Sequence, residues 1–239
     1  MKILANNCIA KDTYEMILDA QEIKKIKAGQ FMHLKSGRED LILRRPISIA
    51  SYNEKELNLV YKVIGEGTKT MARFKPGEEV DALGPLGNGF DLLDVEEVLI
   101  VGGGMGVAPL YPLGKELTQK KIEVTFVLGF KTAEMAYYIE KFQALGEVIV
   151  TTDDGSLGIF GNVGTVVDEL GTFDAIYACG PWPLLYGLQV KFDGHPHLYV
   201  SLEERMACGI GACYACDTKD KKHRICTEGP VFNIKEVEL

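Results

Sequence analysis

Four of the six cysteines, Cys208, Cys213, Cys216 and Cys226, lie within nineteen residues near the end of a 239-residue chain, in a C-x4-C-x2-C-x9-C pattern. Thiols crowded this way suit metal or cluster binding better than a disulfide framework, which would spread its cysteines through the fold. A structural zinc site usually takes its ligands from two separated C-x2-C knuckles, and only one such pair is present. The C-x4-C-x2-C…C order matches plant-type [2Fe–2S] ligation, in which one loop wraps the cluster and a later cysteine closes it. Gly209, Gly211, Ala212 and Ala215 keep that loop small, so backbone N–H groups can approach the sulfurs and stabilise a reduced cluster. A [2Fe–2S] cluster, a zinc ion and free thiols are the three readings of these residues, and the spacing puts the cluster first. The closing gap of nine residues is too short for an appended ferredoxin domain. Of the remaining cysteines, Cys8 reads as a small buried apolar residue. Cys179 ends an apolar run in a C-G-P sequence with Gly180 and Pro181.

A second group of residues suits phosphates. The apolar run 98–101 leads directly into Gly102, Gly103, Gly104, Met105 and Gly106, ahead of Val107-Ala108-Pro109. Glycines there let the backbone approach a pyrophosphate, and the following helix N-terminus attracts its charge. Val107 stands where the strict G-x-G-x-x-G fingerprint has its last glycine, so the loop alone reads either as a nucleotide site or as a structural turn. Two further loops follow predicted strands at the same carboxyl edge: Thr152-Asp153-Asp154-Gly155, with Asp154 as a candidate nucleotide contact, and Cys179-Gly180-Pro181. Lys131 meets either a ribose phosphate or solvent. Earlier in the chain, Arg44-Arg45-Pro46-Ile47-Ser48 joins two cations to an apolar strand. That is either a solvated edge or a diphosphate clamp with a serine left to bond a ring nitrogen. Gly67-Thr68 could open a helix over 69–74 that faces a phosphate, or simply cap it.

These residues need two kinds of scaffold. Residues 3–10, 13–18, 30–34, 45–52, 57–64 and 78–83 alternate apolar with polar side chains and are punctuated by glycine and proline, which predicts a six-stranded antiparallel barrel over 1–93. From 94 to 203 the pattern switches to strands at 98–101, 123–128, 148–151, 175–179 and 198–202. Helices at 108–119, 134–144, 163–170 and 183–190 separate them. That alternation predicts a doubly wound α/β domain with a parallel sheet. From 204 to 239 periodicity gives way to a cysteine-rich tail. The composition, 46% hydrophobic and 25% charged, is that of a folded globular protein, and the net charge of −8 argues against a nucleic-acid or anionic-membrane partner. The longest uncharged run, 98–114, holds five glycines and two prolines and falls short of the ~20 residues of a membrane span. With no signal-peptide pattern, a cytoplasmic protein with reduced cysteines is expected.

Together, RRPISIA, VYKVIGEGT, the glycine loop and CGIGACYAC…CTEGPVF resemble the ferredoxin–NADP reductase superfamily and, within it, the electron-transfer subunits of type B dihydroorotate dehydrogenases. The resemblance spans nearly the whole chain. It implies FAD, one [2Fe–2S] cluster and NAD(H) as substrate. Arg45, Pro46, Ile47 and Ser48 would contact FAD, and Val60, Tyr61, Lys62, Gly67 and Thr68 would complete its cradle. The four clustered cysteines would ligate iron, and Cys179 would lie near the nicotinamide as a catalytic-site residue. The implied partner is an FMN-containing catalytic subunit in a 2+2 heterotetramer. Electrons from dihydroorotate would pass through FMN, the cluster and FAD to NAD+, in pyrimidine biosynthesis. Two competing readings are a reductase subunit of a transhydrogenase, hydrogenase or sulfite reductase complex, and a zinc-stabilised nucleotide-binding regulator.

Overall fold

A computed structural model describes residues 1–21, 23 and 25–239. The first part contains β1 (Ile3–Ala10), β2 (Thr13–Asp19), β3 (Phe31–Leu34), β4 (Arg45–Tyr52), β5 (Glu56–Lys62), the short helix α1 (Glu66–Met71) and β6 (Ala82–Leu86). The strands form one six-stranded antiparallel sheet in the order β1-β2-β5-β4-β3-β6. Alternate residues point inward, so Met16 and Leu18, Ile47 and Ile49, and Leu57, Leu59 and Tyr61 share one buried core. The sheet closes on itself through backbone bonds from Ile3 N–H to Glu78 O (2.8 Å) and from Val80 N–H to Met1 O (2.9 Å). The sixth strand therefore lies later than the 78–83 expected from the pattern. Residues 78–80 make the closure, and the strand runs on through Gly84-Pro85, which reads locally as a breaker.

The second part is built on β7 (Glu97–Gly103), α2 (Val107–Gln119), β8 (Glu123–Phe130), α3 (Ile139–Gln143), β9 (Glu147–Thr152), β10 (Ile159–Phe160), α4 (Val163–Val167), β11 (Ala175–Cys179), α5 (Trp182–Lys191), β12 (Leu198–Ser201) and β13 (Val231–Asn233). The sheet order is β10-β9-β8-β7-β11-β12-β13. Val98 and Ile100 pack with α2 and α3 on one face, while Leu99 and Val101 pack with α4 and α5 on the other. Burial on both faces explains the unbroken apolar run in β7.

Three details differ here from the pattern reading. The sheet is mixed rather than wholly parallel, because β13 returns from the cysteine-rich segment and pairs antiparallel with β12, Phe232 opposite Val200. The helix expected over 134–144 is a 3-10 turn, a bend and the five-residue α3. Tertiary anchoring wins over helical propensity there. Tyr137 and Tyr138 are both buried, the Tyr137 hydroxyl donates to the carbonyls of Gly104 and Met105, and Tyr138 takes a left-handed φ of 65°. Cys8, expected in the core, is exposed, with its thiol near the carbonyl of Ala10. Among the described residues no helix is long and apolar enough to cross a membrane.

Candidate functional site

Strand order reverses between β7 and β11, which pair directly with Cys179 opposite Gly102. This switch point brings the glycine loop after β7 and the Gly180-Pro181 turn after β11 side by side at the carboxyl edge, where open α/β sheets bind ligands. A cavity of about 560 Å³ opens there, lined by Gly103, Gly104, Met105, Gly106, Gly180 and Pro181, with Lys131, Asp153, Asn162, Asp168, Lys191 and Glu203 as polar groups on its wall. A Cβ on Gly106 would stand 2.2 Å from the Cys179 carbonyl oxygen, so the two loops touch only because that residue has no side chain. Gly102 lies within β7 rather than on the cavity wall. Asp154 is not on the cavity wall, its carboxylate accepting from the N–H and hydroxyl of Ser156, whereas its neighbour Asp153 is. Cys179 is buried behind the wall. Burial pushes its thiol well above the ordinary range, with the Glu203 charge acting in the same direction and a Ser201 hydrogen bond opposing.

The barrel presents a second cavity of about 840 Å³. Arg45, Pro46, Ile47, Ser48, Val60, Tyr61, Lys62, Gly67 and Thr68 all line it, together with residues 201–206 and Pro230. The Arg45 guanidinium lies across Gly67, where a Cβ would come 2.2 Å from its Nε. A long cation over a bare backbone is a cradle suited to a diphosphate. Thr68 has a local task as well: its hydroxyl accepts from Ile64 N–H (3.0 Å) and Gly65 N–H (3.3 Å), shaping the turn into α1. The Tyr61 hydroxyl donates to Asn6 at 2.9 Å, so that ring is fixed.

The two cavities share Met105 and Glu203. Pattern reading missed Glu203, Tyr137 and Asp153. Glu203 opens to the cavities but has protein around it on most sides, and this burial raises its carboxyl pKa. No local motif marks it, because its position depends on where β12 ends.

Past Glu203 the chain enters the cysteine loop. Cys208 stands beside Cys213, and Cys216 beside Cys226. Among the described residues no three His, Cys, Asp or Glu side chains converge as a site for one metal ion. Two thiol pairs are the arrangement a two-iron cluster takes, with two terminal cysteines for each iron. Backbone N–H groups point at the sulfurs: Gly211 to Cys226 Sγ at 3.2 Å, Cys226 to Cys216 Sγ at 3.4 Å and Ile210 to Cys208 Sγ at 3.5 Å. At Cys208 burial opposes ionisation, but N–H groups from Ile210, Ala212 and Cys213, with the Cys213 thiol, bring it down to about 6. Burial first, then the Cys216 thiol, pushes Cys226 up to about 11. Gly209 (φ +73°) and Gly211 (φ +78°) take left-handed conformations that let the loop curl around this space. The donor set and its converging amides fit a [2Fe–2S] cluster, and the Arg45–Gly67 cradle fits a flavin diphosphate.

A barrel beside a nucleotide-type sheet is the architecture of the ferredoxin reductases, and solved structures agree. The NADH-dependent reduced ferredoxin–NADP oxidoreductase described for flavin-based electron bifurcation superposes with a TM-score of 0.90 at 30% identity, covering 99% of this chain and 89% of that one. Phthalate dioxygenase reductase, at 16% identity, shares the fold with a TM-score of 0.68 over 86% of this chain and 68% of its own. Residues 203–238 match the model of the iron–sulfur cluster binding domain of dihydroorotate dehydrogenase B. The Enterococcus faecalis protein named dihydroorotate dehydrogenase B (NAD(+)), electron transfer subunit is 46% identical over 100% of this chain and 97% of its own length. Its Streptococcus pneumoniae namesake is 42% identical over 100% and 98%. The chain belongs to the family of dihydroorotate dehydrogenase B electron transfer subunits.

Proposed function

We propose that this chain relays electrons from the FMN of a dihydroorotate dehydrogenase catalytic subunit to NAD+, through a [2Fe–2S] site and an FAD site of its own. The carrying observation is the middle position of the barrel cavity. It shares Met105 and Glu203 with the dinucleotide cavity, and its wall, residues 201–206, runs directly into Cys208. FAD bound there would exchange a hydride with NAD(H) and single electrons with the cluster, chemistry that belongs to the cofactors. The chain's residues supply position and field. Arg45 and the Gly67 backbone would hold the diphosphate, while Pro46, Ile47, Ser48, Val60, Tyr61 and Lys62, which line the same cavity, would frame the ring system. Residues 103–106 with Gly180 and Pro181 would hold the dinucleotide, Asp153 rather than Asp154 facing it. Cys179, buried behind that wall as a neutral thiol, would back the nicotinamide end of the dinucleotide. Cys208, Cys213, Cys216 and Cys226 would bind the irons. The proposed units are 1–93, 94–203 and 204–239, working in the cytoplasm in a 2+2 assembly with the catalytic subunit.

The test uses the complex with that subunit. Cys213→Ser should abolish dihydroorotate-linked NAD+ reduction while NADH still reduces an artificial dye through the flavin. Relay activity at the unaltered rate would overturn the proposal.

A further inference from the structure

The wall of the barrel nearest the cysteine loop contains a polar side chain that an apolar core does not need. His33, on β3, has no exposed surface, and neither ring nitrogen has a hydrogen-bond partner. Unpaired polar atoms at full burial are costly, which singles out this residue from the Phe31, Met32 and Leu34 around it. The ring lies against Gly209: a Cβ there would stand 2.6 Å from His33 Nδ1 and 3.3 Å from Cε1. His33 thus fills the volume that a side chain next to Cys208 would take. The carbonyls of Met206 and Cys208, from the loop, and of Arg44, from the barrel, lie near the ring but outside hydrogen-bond geometry, and Phe31 packs edge-on at 6.4 Å. The strand beneath is clamped, since Arg44 donates to the His33 carbonyl (3.3 Å) and pairs with Asp81 (2.8 Å). Burial, with the Arg44 charge behind it, favours the neutral ring, which has one N–H to give and one lone pair to offer.

We propose that His33 is a positioning residue that joins the flavin barrel to the cysteine loop. Settling of the loop around its cluster would bring that N–H onto the Met206 or Cys208 carbonyl, and so fix Cys208 relative to the flavin cavity and tune the cluster from outside its ligand set. Residues in that outer position commonly alter a metal site by ten- to a hundredfold when replaced. The inference rests on the reading of the four cysteines as cluster ligands.

The experiment compares His33→Leu and His33→Gln in the complex with the catalytic subunit. With flavin and iron content unchanged, His33→Leu should slow dihydroorotate-linked NAD+ reduction about tenfold. It should also alter the electron paramagnetic resonance spectrum of the reduced cluster and move its potential to a more negative value. NADH-to-dye turnover should stay at the wild-type rate, and His33→Gln, which keeps a donor, should restore most of the loss. A His33→Leu complex matching wild type in spectrum, potential and relay rate overturns the proposal. So does an equal shift in both variants, or loss of folding in both, since each means that His33 only fills space. A wild-type complex without a cluster signal would overturn the cysteine reading itself, a failure seen before any variant is made.

Discussion

Gly67 and Gly106 are both bare where a Cβ would collide, but with different neighbours. At Gly67 the obstacle is the end of the flexible Arg45 side chain, with Nε at 2.2 Å and Cζ at 2.5 Å, which can swing aside. Gly67→Ala should fold normally and retain several-fold less flavin, measured by absorbance of the purified chain. At Gly106 the obstacle is the backbone of Cys179 and Gly180, at 2.2 to 2.6 Å, which cannot move without parting two loops. Gly106→Ala should cost about 1–3 kcal/mol in denaturant unfolding and raise the KM for NADH. Equal flavin loss in the two variants would contradict this distinction. The Gly106 requirement was legible as part of a glycine-rich loop. Its physical cause was not, because Cys179 lies seventy-three residues away and meets it only through the β7–β11 pairing.

At the scale of elements, β13 turns the cysteine segment into part of the sheet. Phe232 is buried in the core that also contains Cys216, Ile225 and Cys226, and Gly229 is bare where a Cβ would meet its ring at 2.3 Å. Asn88, just after β6, holds the same segment from the barrel side through the carbonyls of Thr227 (3.2 Å) and Glu228 (3.0 Å). Phe232→Ala should destabilise the chain by about 3–5 kcal/mol and lower its iron content, with Phe232→Leu milder in both. Full iron retention in a destabilised Phe232→Ala chain would show that β13 does not support the loop. Sequence patterning missed this strand because three residues among cysteines and glycines are too few to display a period of two.

Across the whole molecule, the barrel meets the nucleotide sheet through polar pairs as well as apolar contacts. Glu15 on β2 accepts from the Tyr138 hydroxyl, from Asn58 (3.0 Å) and from Lys141 (3.3 Å), and Tyr52 on β4 donates to Glu116 on α2. Burial of Glu15 works against its charge, but those three donors outweigh it and hold its carboxyl below the ordinary 4.5. A depressed carboxyl stabilises the fold above its unfolded value, and the contribution disappears as pH falls through the folded value. Glu15→Gln should therefore be less stable than wild type at neutral pH, with the gap closing below pH 4.5 in thermal unfolding. A gap independent of pH would remove Glu15 as its source. The exposed pair Lys11–Glu134 spans the same seam, and its removal should change little.

The order of barrel, nucleotide-type sheet and cysteine segment, and the clustering of the candidate ligands, are legible along the chain. Cysteine spacing, glycine placement and the change from alternating to continuous apolar strands are local properties, set by the reach of a loop and by which faces of a strand are covered. How these parts face one another is set by the folded chain as a whole. It put Asp153 rather than Asp154 on the cavity wall, set Glu203 between two cavities, replaced a helix by the Tyr137 anchor and pressed His33 against the cysteine loop. Each of these depends on strand order and closure, which juxtapose residues far apart in the chain, and no local pattern records such contacts.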